Sequence, residues 1–183
     1  LFSELTGKTA STLEALPSSG SNRKYYRLQS DNISLIGVHG ESVQENQAFI
    51  YLAKHFRAKG LNVPEVVSVS DDKMFYLQQD LGDTILFESI KEGRLSGVFS
   101  HQEKELLHKT ISALAEFQIK GAQELNFNIC YPLPEFNHRS VMWDLNYFKY
   151  SFLKTTGMDF REDLLENDFE KLAAQLLEDK SDT

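Results

Sequence analysis

Apolar side chains recur at two different periods along this chain, and the point where one gives way to the other limits the folds open to it. Through about the first 80 residues the pattern is that of short strands around a single helix. Thr12–Leu16 and Tyr25–Leu28 are strand candidates separated by a Ser/Gly loop, as in a hairpin with a long turn. Ile33–Val38 follows the turn pair Asp31-Asn32. The period then changes: Phe49, Leu52, Ala53 and Phe56 fall at i, i+3, i+4 and i+7, one apolar stripe of a helix. Ser42 with Glu45 three residues on reads as a capping box, and Gly60 closes the C-terminus. Val66–Val69 and Met74–Gln78 read as two further strands joined by a turn at Asp71-Asp72-Lys73.

Past this point the helical period takes over. Leu107, Ile111, Leu114 and Gln118 mark a long helix near 101–120; Val141, Leu145, Phe148 and Phe152 mark a second, and Leu165, Phe169, Leu172 and Leu176 a third. Between the first two, Tyr131-Pro132-Leu133-Pro134 forces an extended connector. Strands segregated from helices predict an α+β fold, because a parallel α/β sheet would alternate them throughout. The predicted form is a five-stranded antiparallel sheet with one helix over residues 1–81, followed by a helical part over 82–183.

A chain of 183 residues with 41% hydrophobic and 25% charged side chains has the composition of a globular protein. Its net charge of −8 argues against a nucleic-acid partner, since phosphate backbones are met by basic surfaces. It does not exclude ATP, because one nucleotide is held by local backbone donors and a few cations. No apolar run approaches the roughly 20 residues needed to span a bilayer, and no membrane partner is expected. No secretory signal is read at the N-terminus, and Cys130, the one cysteine, has no internal partner. These features predict a reducing, cytoplasmic location; they leave the oligomeric state open.

Three segments carry candidate chemistry. The loop Pro17-Ser18-Ser19-Gly20-Ser21-Asn22-Arg23-Lys24 has small residues that let backbone amides approach phosphate, with two cations beside them. The same composition also suits an ordinary solvated hairpin turn. Gln78-Gln79-Asp80-Leu81-Gly82-Asp83 follows an apolar strand at the join between the two halves, where small ligands commonly sit. An extended backbone there offers one carbonyl and one amide to a purine edge, or it is merely a turn out of an edge strand. Glu45 lies in the first turn of the strand-rich half's helix, where a carboxylate favours the helix N-terminus and is also placed to orient a phosphate-binding cation. A P-loop is excluded, because G-x-x-x-x-G-K-[ST] occurs nowhere.

Read together, these segments resemble a known family. The strand and helix order, with a Ser/Gly loop first and an acidic link last, resembles the N-lobe of protein-kinase-like folds. Ser19-Gly20-Ser21-Asn22-Arg23-Lys24-Tyr25-Tyr26-Arg27-Leu28 is similar to the loop-and-strand pattern of the aminoglycoside phosphotransferase superfamily. It is nearest to the bacterial anomeric amino-sugar kinases, the N-acetylmuramate/N-acetylglucosamine 1-kinases. Gly60-Leu61-Asn62-Val63-Pro64-Glu65-Val66 and Tyr76-Leu77-Gln78-Gln79-Asp80-Leu81-Gly82-Asp83 resemble that branch's helix exit and hinge. Asp144-Leu145-Asn146-Tyr147-Phe148-Lys149-Tyr150-Ser151-Phe152-Leu153 resembles one of its helices.

The resemblance implies that Ser19, Gly20, Ser21, Asn22 and Arg23 cover the phosphates of ATP, that Gln79 and Leu81 offer backbone to adenine, and that Glu45 orients a phosphate-binding side chain. Two departures qualify it. Ile33-Ser34-Leu35-Ile36-Gly37-Val38-His39-Gly40, the third strand, carries no lysine, where kinases place one on the nucleotide phosphates. Arg27, which shares a strand face with Tyr25, is the candidate substitute, with a solvated surface arginine as its other reading. On that assignment Arg27 and Glu45 should lie within salt-bridge distance or face one cleft. In addition, none of the five histidines is followed two residues later by Asp, so the catalytic loop and the ligands for Mg²⁺ are expected outside this chain. Arg139 and Asp144 are candidate substrate contacts, Asp144 being equally readable as a first-turn helix acid.

The expectation is an ATP-dependent phosphotransferase acting on a hydroxyl of a sugar, amino sugar or amino alcohol, represented by its nucleotide-binding lobe and an incomplete helical lobe. The competing expectation is a non-catalytic, pseudokinase-like module that binds a partner; a helical adaptor with a small β-domain is the third.

Overall fold

The computed structural model describes residues 1–17 and 20–178, so Ser18 and Ser19 of the Ser/Gly loop lie outside the described residues. The order of elements is α1 (Phe2–Thr6), β1 (Thr12–Ala15), β2 (Lys24–Ser30), β3 (Ile33–His39), α2 (Val43–Ala58), β4 (Val66–Val69), β5 (Phe75–Gln79), α3 (Leu86–Ser89), α4 (Lys91–Ser96), α5 (His101–Ala122), α6 (His138–Ser151) and α7 (Glu162–Glu178). Short 3-10 turns at Phe127–Ile129 and Leu153–Thr156 complete it. The fold class is α+β. Its sheet is five-stranded and antiparallel throughout, in the order β1-β2-β3-β5-β4.

Two compact units are present, Leu1–Tyr131 and Pro132–Thr183. The division falls in the proline-containing connector, while the helices from α3 to α5 belong with the sheet.

In the first unit, strand alternation sends Ile36, Val38 and Tyr76 to one face of the sheet, where α2 covers them with Ile50. Leu16, Tyr25, Phe49, Val66 and Val69 pack around this centre, and Tyr76 is fully buried with its ring stacked 5.3 Å from that of Phe49. The opposite face bears Leu13, Tyr26, Leu28 and Leu77 beside Phe2 of α1, lining a groove of about 660 Å³. Gly37 lies between them, and a Cβ there would stand 2.6 Å from Leu28 Cδ1, so that leucine would have to move aside.

The start of α2 is fixed by two devices. Ser42 Oγ accepts from the Glu45 amide at 3.2 Å. The returning half of the expected capping box is replaced, since the Glu45 carboxylate pairs with Arg23 instead. A complete box forms at Ser100 and Glu103, the start of α5. The second device is Asn46, wholly buried, whose Nδ2 donates to Gly40 O at 2.7 Å and to Lys73 O at 2.9 Å. One side chain thus ties the helix to the β3–α2 loop and to the β4–β5 turn, where Lys73 has φ of 61°.

The long helix α5 packs on α2 through Phe117, edge-on to Phe56 at 5.3 Å, and through Gly121, whose carbonyl lies 2.9 Å from His55 Nε2. The stripe read from the sequence is only partly that packing face: Ile111 and Leu114 are exposed, and contact is made one turn further on.

In the second unit, α6 and α7 pack through Val141, Phe169 and Ala173. Lys149 is buried to 4% side-chain exposure and ion-paired with Glu166. The hydrogen bond that Lys149 donates to Glu166 holds its ammonium above its ordinary pKa against the opposing effect of burial.

Asn46→Ala would leave the carbonyls of Gly40 and Lys73 without their donor. The expected cost is about 2–3 kcal/mol, larger than for a surface substitution. Chemical denaturation of the first unit's β-signal measures it, and an unchanged midpoint would show that Asn46 does not pin the helix.

Candidate functional site

The strands leave a cleft of about 200 Å³ on the helix-facing side of the sheet, next to the chain's exit from β5. Leu16 enters it from the end of β1, held there as its amide donates to Tyr25 O at 2.9 Å. Tyr25 and Arg27 enter from β2, Ile36 from β3 and Gln78 from β5, all at positions that alternation directs to one face. The link Gln79–Asp83 closes the rim. Gln79 stays in the sheet by donating its amide to Glu65 O at 2.8 Å, and Leu81 lies beyond it with its side chain exposed. Gly82 turns the link at φ of 79°, a conformation open to glycine without steric cost.

Arg27 is the centre of charge. Its Nε donates to Asp80 Oδ2 at 2.8 Å and its Nη2 to Asp83 Oδ1 at 2.8 Å, with further bonds from Nη2 to Asp80 and from Nη1 to Asp83. Asp80 also accepts from Ser34 Oγ at 2.6 Å and from the Gly82 amide at 2.9 Å. The Arg27 hydrogen bonds outweigh burial and hold the Asp80 carboxyl down at about 2. Reciprocally, the two carboxylates raise the Arg27 guanidinium above its already high value.

Glu45 meets a different arginine. Arg23 Nη2 lies 3.0 Å from Glu45 Oε1 and donates to the Glu45 carbonyl at 3.2 Å, while its guanidinium sits 5.1 Å from the centre of the Phe49 ring. The expected pairing of Arg27 with Glu45 is therefore corrected. The reason is distance along the chain: Arg27 is four residue steps, about 13 Å of extended backbone, from Arg23, which stands just before β2. Lys24 pairs with His39, at the end of β3 that leads into α2, whereas Arg27 pairs with Ile36, toward the link. The third strand turns Ile36 and Val38, both apolar and buried, toward α2, so it supplies no cation to that face.

Two further groups complete this end. Arg23 Nε and the Tyr76 hydroxyl are buried and without a hydrogen-bond partner among the described residues. Burial pushes the Tyr76 hydroxyl well above the ordinary phenol value, against a smaller lowering by Arg23.

The structure thus brings Arg27, Gln79 and Leu81 to the cleft, and Arg23 to Glu45 at the start of α2. Gly20, Ser21 and Asn22 lie in the exposed loop before β2, with Ser21 Oγ accepting from the Arg23 amide at 3.1 Å; Ser19 is outside the described residues. Arg139 lies in the second unit, lining a separate cleft of about 570 Å³ with Pro132, Met142 and Trp143. Asp144 is exposed on α6 and is not a first-turn acid, because the helix starts six residues earlier at His138 under an Asn137 cap. Among the described residues no three His, Cys, Asp or Glu side chains cluster so as to hold a metal ion, and no helix is long and apolar enough to cross a membrane.

Sequence reading missed Asp80 and Asp83 as the partners of Arg27, and Leu16, Tyr25, Ile36 and Gln78 as cleft walls. Alternation along three strands would have found the walls. The carboxylate pairing depends on the sheet register, which no local pattern carries. No protein-family model, curated protein or solved structure matches the chain.

Asp80 has a folded-state pKa below its unfolded value, so its ion pair contributes stability above about pH 4 that is lost as pH falls toward 2. Acid titration of stability should show this loss, and Asp80→Asn should flatten that part of the profile while lowering stability at neutral pH. An Asp80→Asn profile parallel to that of the unsubstituted protein would show that the pair carries no such linkage.

Proposed function

We propose that this chain carries the nucleotide-binding part of an ATP-dependent phosphotransferase of protein-kinase-like fold. The phosphoryl acceptor would be a hydroxyl of a sugar, amino sugar or amino alcohol. The observation that carries the reading is the cleft lined by Leu16, Tyr25 and Ile36 together with the Gln79–Leu81 link, on the sheet face whose other end leads to Arg23 and the Ser/Gly loop. A flat aromatic base fits between apolar side chains and an extended backbone segment, which supplies hydrogen-bonding specificity at its edge.

The Arg23–Glu45 pair supports the phosphate side of the reading. A carboxylate on the first turn of α2 fixes an arginine at the base of the loop, and Arg23 takes the orienting partner that the resemblance implied for a phosphate-binding cation. Mg²⁺ and the catalytic aspartate would come from outside this chain. Arg139, in the second unit, is the proposed acceptor contact, and a reducing cytoplasmic setting suits the lone Cys130.

One observation favours the non-catalytic alternative. Arg27 is engaged by two carboxylates and the third strand carries no lysine, so Arg23 serves where a kinase commonly has more cations. A partner-binding module of this shape would be indifferent to nucleotide.

Calorimetric titration with ATP and with adenosine separates the readings. Both should bind, ATP more tightly. Leu81→Pro removes a backbone donor at the rim and should weaken both by tenfold or more without lowering the melting temperature of the helical unit. Arg23→Ala should weaken ATP by about tenfold and leave adenosine unchanged, since a charge-assisted contact to phosphate is lost. Absence of binding, or equal affinity after Leu81→Pro, would reject the nucleotide reading.

A further inference from the structure

The sheet face turned away from α2 carries a second concavity, unconnected with the nucleotide reading. Strand alternation directs Tyr26 and Leu28 of β2, Gly37 of β3 and Leu77 of β5 to it, and Gly37 has Tyr26 and Leu77 as its register partners. Because Gly37 carries no side chain, the surface dips along β3 between β2 and β5, within the groove of about 660 Å³. Leu13 and Leu28, themselves register partners, form its apolar end. His39 lines the other end, its ring stacked 4.5 Å from that of Phe75. Lys24, the register partner of His39, follows Tyr26 on the same face; it is exposed and makes no ion pair among the described residues. Asp72 of the β4–β5 turn lies near His39, but its Oδ1 is held by Ser70 Oγ at 2.6 Å and by the Met74 amide at 2.9 Å.

The shape decides among occupants. The strands flanking the dip are about 10 Å apart, narrowed further by their side chains, whereas a helix with its side chains is about 10–12 Å across. An extended peptide is narrow enough, but it would lay backbone N–H and C=O groups on an apolar floor that cannot pair them. A second copy presents the same hollow, and two hollows face to face leave the space unfilled. A single alkyl chain has none of these defects, and the residues from Leu28 to Lys24 give it a floor of about 13 Å. Charge decides its head group: in a chain of net charge −8, this end of the groove offers an uncommitted Lys24 and the His39 ring. We propose that the groove binds a free medium-chain fatty acid, its chain lying along β3 from the Leu13–Leu28 end and its carboxylate at His39 and Lys24.

The experiment titrates the whole chain calorimetrically with decanoate, decanol and decyltrimethylammonium, each below its micellar concentration. Decanoate should bind once per chain, more tightly than decanol, and the cation least. Lys24→Glu exchanges attraction for repulsion and should weaken decanoate by roughly tenfold while leaving decanol unchanged. Leu13→Glu puts a charge at the apolar end and should weaken both. Both positions are exposed, so both variants should keep the melting temperature of the unsubstituted chain. Absence of saturable binding, equal affinity for the three head groups, or decanoate binding that survives Leu13→Glu overturns the proposal. So does a dimer in sedimentation that Leu13→Glu dissolves, which assigns the groove to a second copy. Binding of ATP or adenosine on the opposite face of the sheet bears on the nucleotide reading alone.

Discussion

The direction in which the chain leaves the sheet is set by Arg27. Without a fixed exit, β5 would end in a free segment and the cleft beside it would have no rim. The guanidinium reaches from the middle of β2 across the plane of β3 to two carboxylates three residues apart on the link, and Ser34 of β3 shares the nearer one. Asp80 is thereby gripped by four donors from three segments. Such a pair is weak evidence of stability, because desolvating two charges offsets much of their attraction. What it supplies is position: the planar fork of arginine admits few geometries.

The two arginines of β2 and the loop before it illustrate how burial and partner number divide labour. Arg27 makes four hydrogen bonds to two acids and is thereby saturated. Arg23 has one acid, a carbonyl and an aromatic face, and its Nε is unused. In a chain of net charge −8 an arginine with spare donors stands out, because surplus carboxylates are abundant. Phe49 explains how it remains so: the ring covers one face of the guanidinium and leaves the carboxylate only an edge.

Most of the sheet was legible, because its signals are local. The alternation of Ile33–Val38, the Asp31-Asn32 turn and the Phe49–Phe56 stripe each act within a few residues, and each became an element within two residues of its expected ends. The short helices α3 and α4 were not read, since helices of four and six residues offer no full period to detect. The Ser42–Glu45 motif looked like a capping box because sequence spacing alone defines one. A long-range cation took the glutamate, and spacing is blind to a partner 22 residues away. Asn46 went unread for a related reason. A buried asparagine inside an apolar stripe has meaning only once two loop carbonyls converge on it.

The distribution of unsatisfied polar atoms is the strongest guide to where this structure departs from a purely structural optimum. Among the described residues the buried side-chain atoms without partners are Arg23 Nε, Asn46 Oδ1, Tyr76 Oη and Gln78 Oε1. Asn46 is accounted for, since its amide nitrogen makes two bonds and its oxygen faces the close approach of Gly40. The other three belong to the helix-facing side of the sheet or to the loop that leads into it. They form a mixed set of donors and an acceptor beside an apolar floor. A core selected for stability alone would replace the Tyr76 hydroxyl and the Gln78 amide with hydrocarbon, because the buried atom of each makes no bond and carries a desolvation cost, whereas Arg23 is retained by Glu45. Local rules broken together in one region, while the same rules hold through the rest of the sheet, are the pattern expected of a binding site. Along the sheet they run from Gln78 beside the link, through Tyr76 in the core, to Arg23 just before β2.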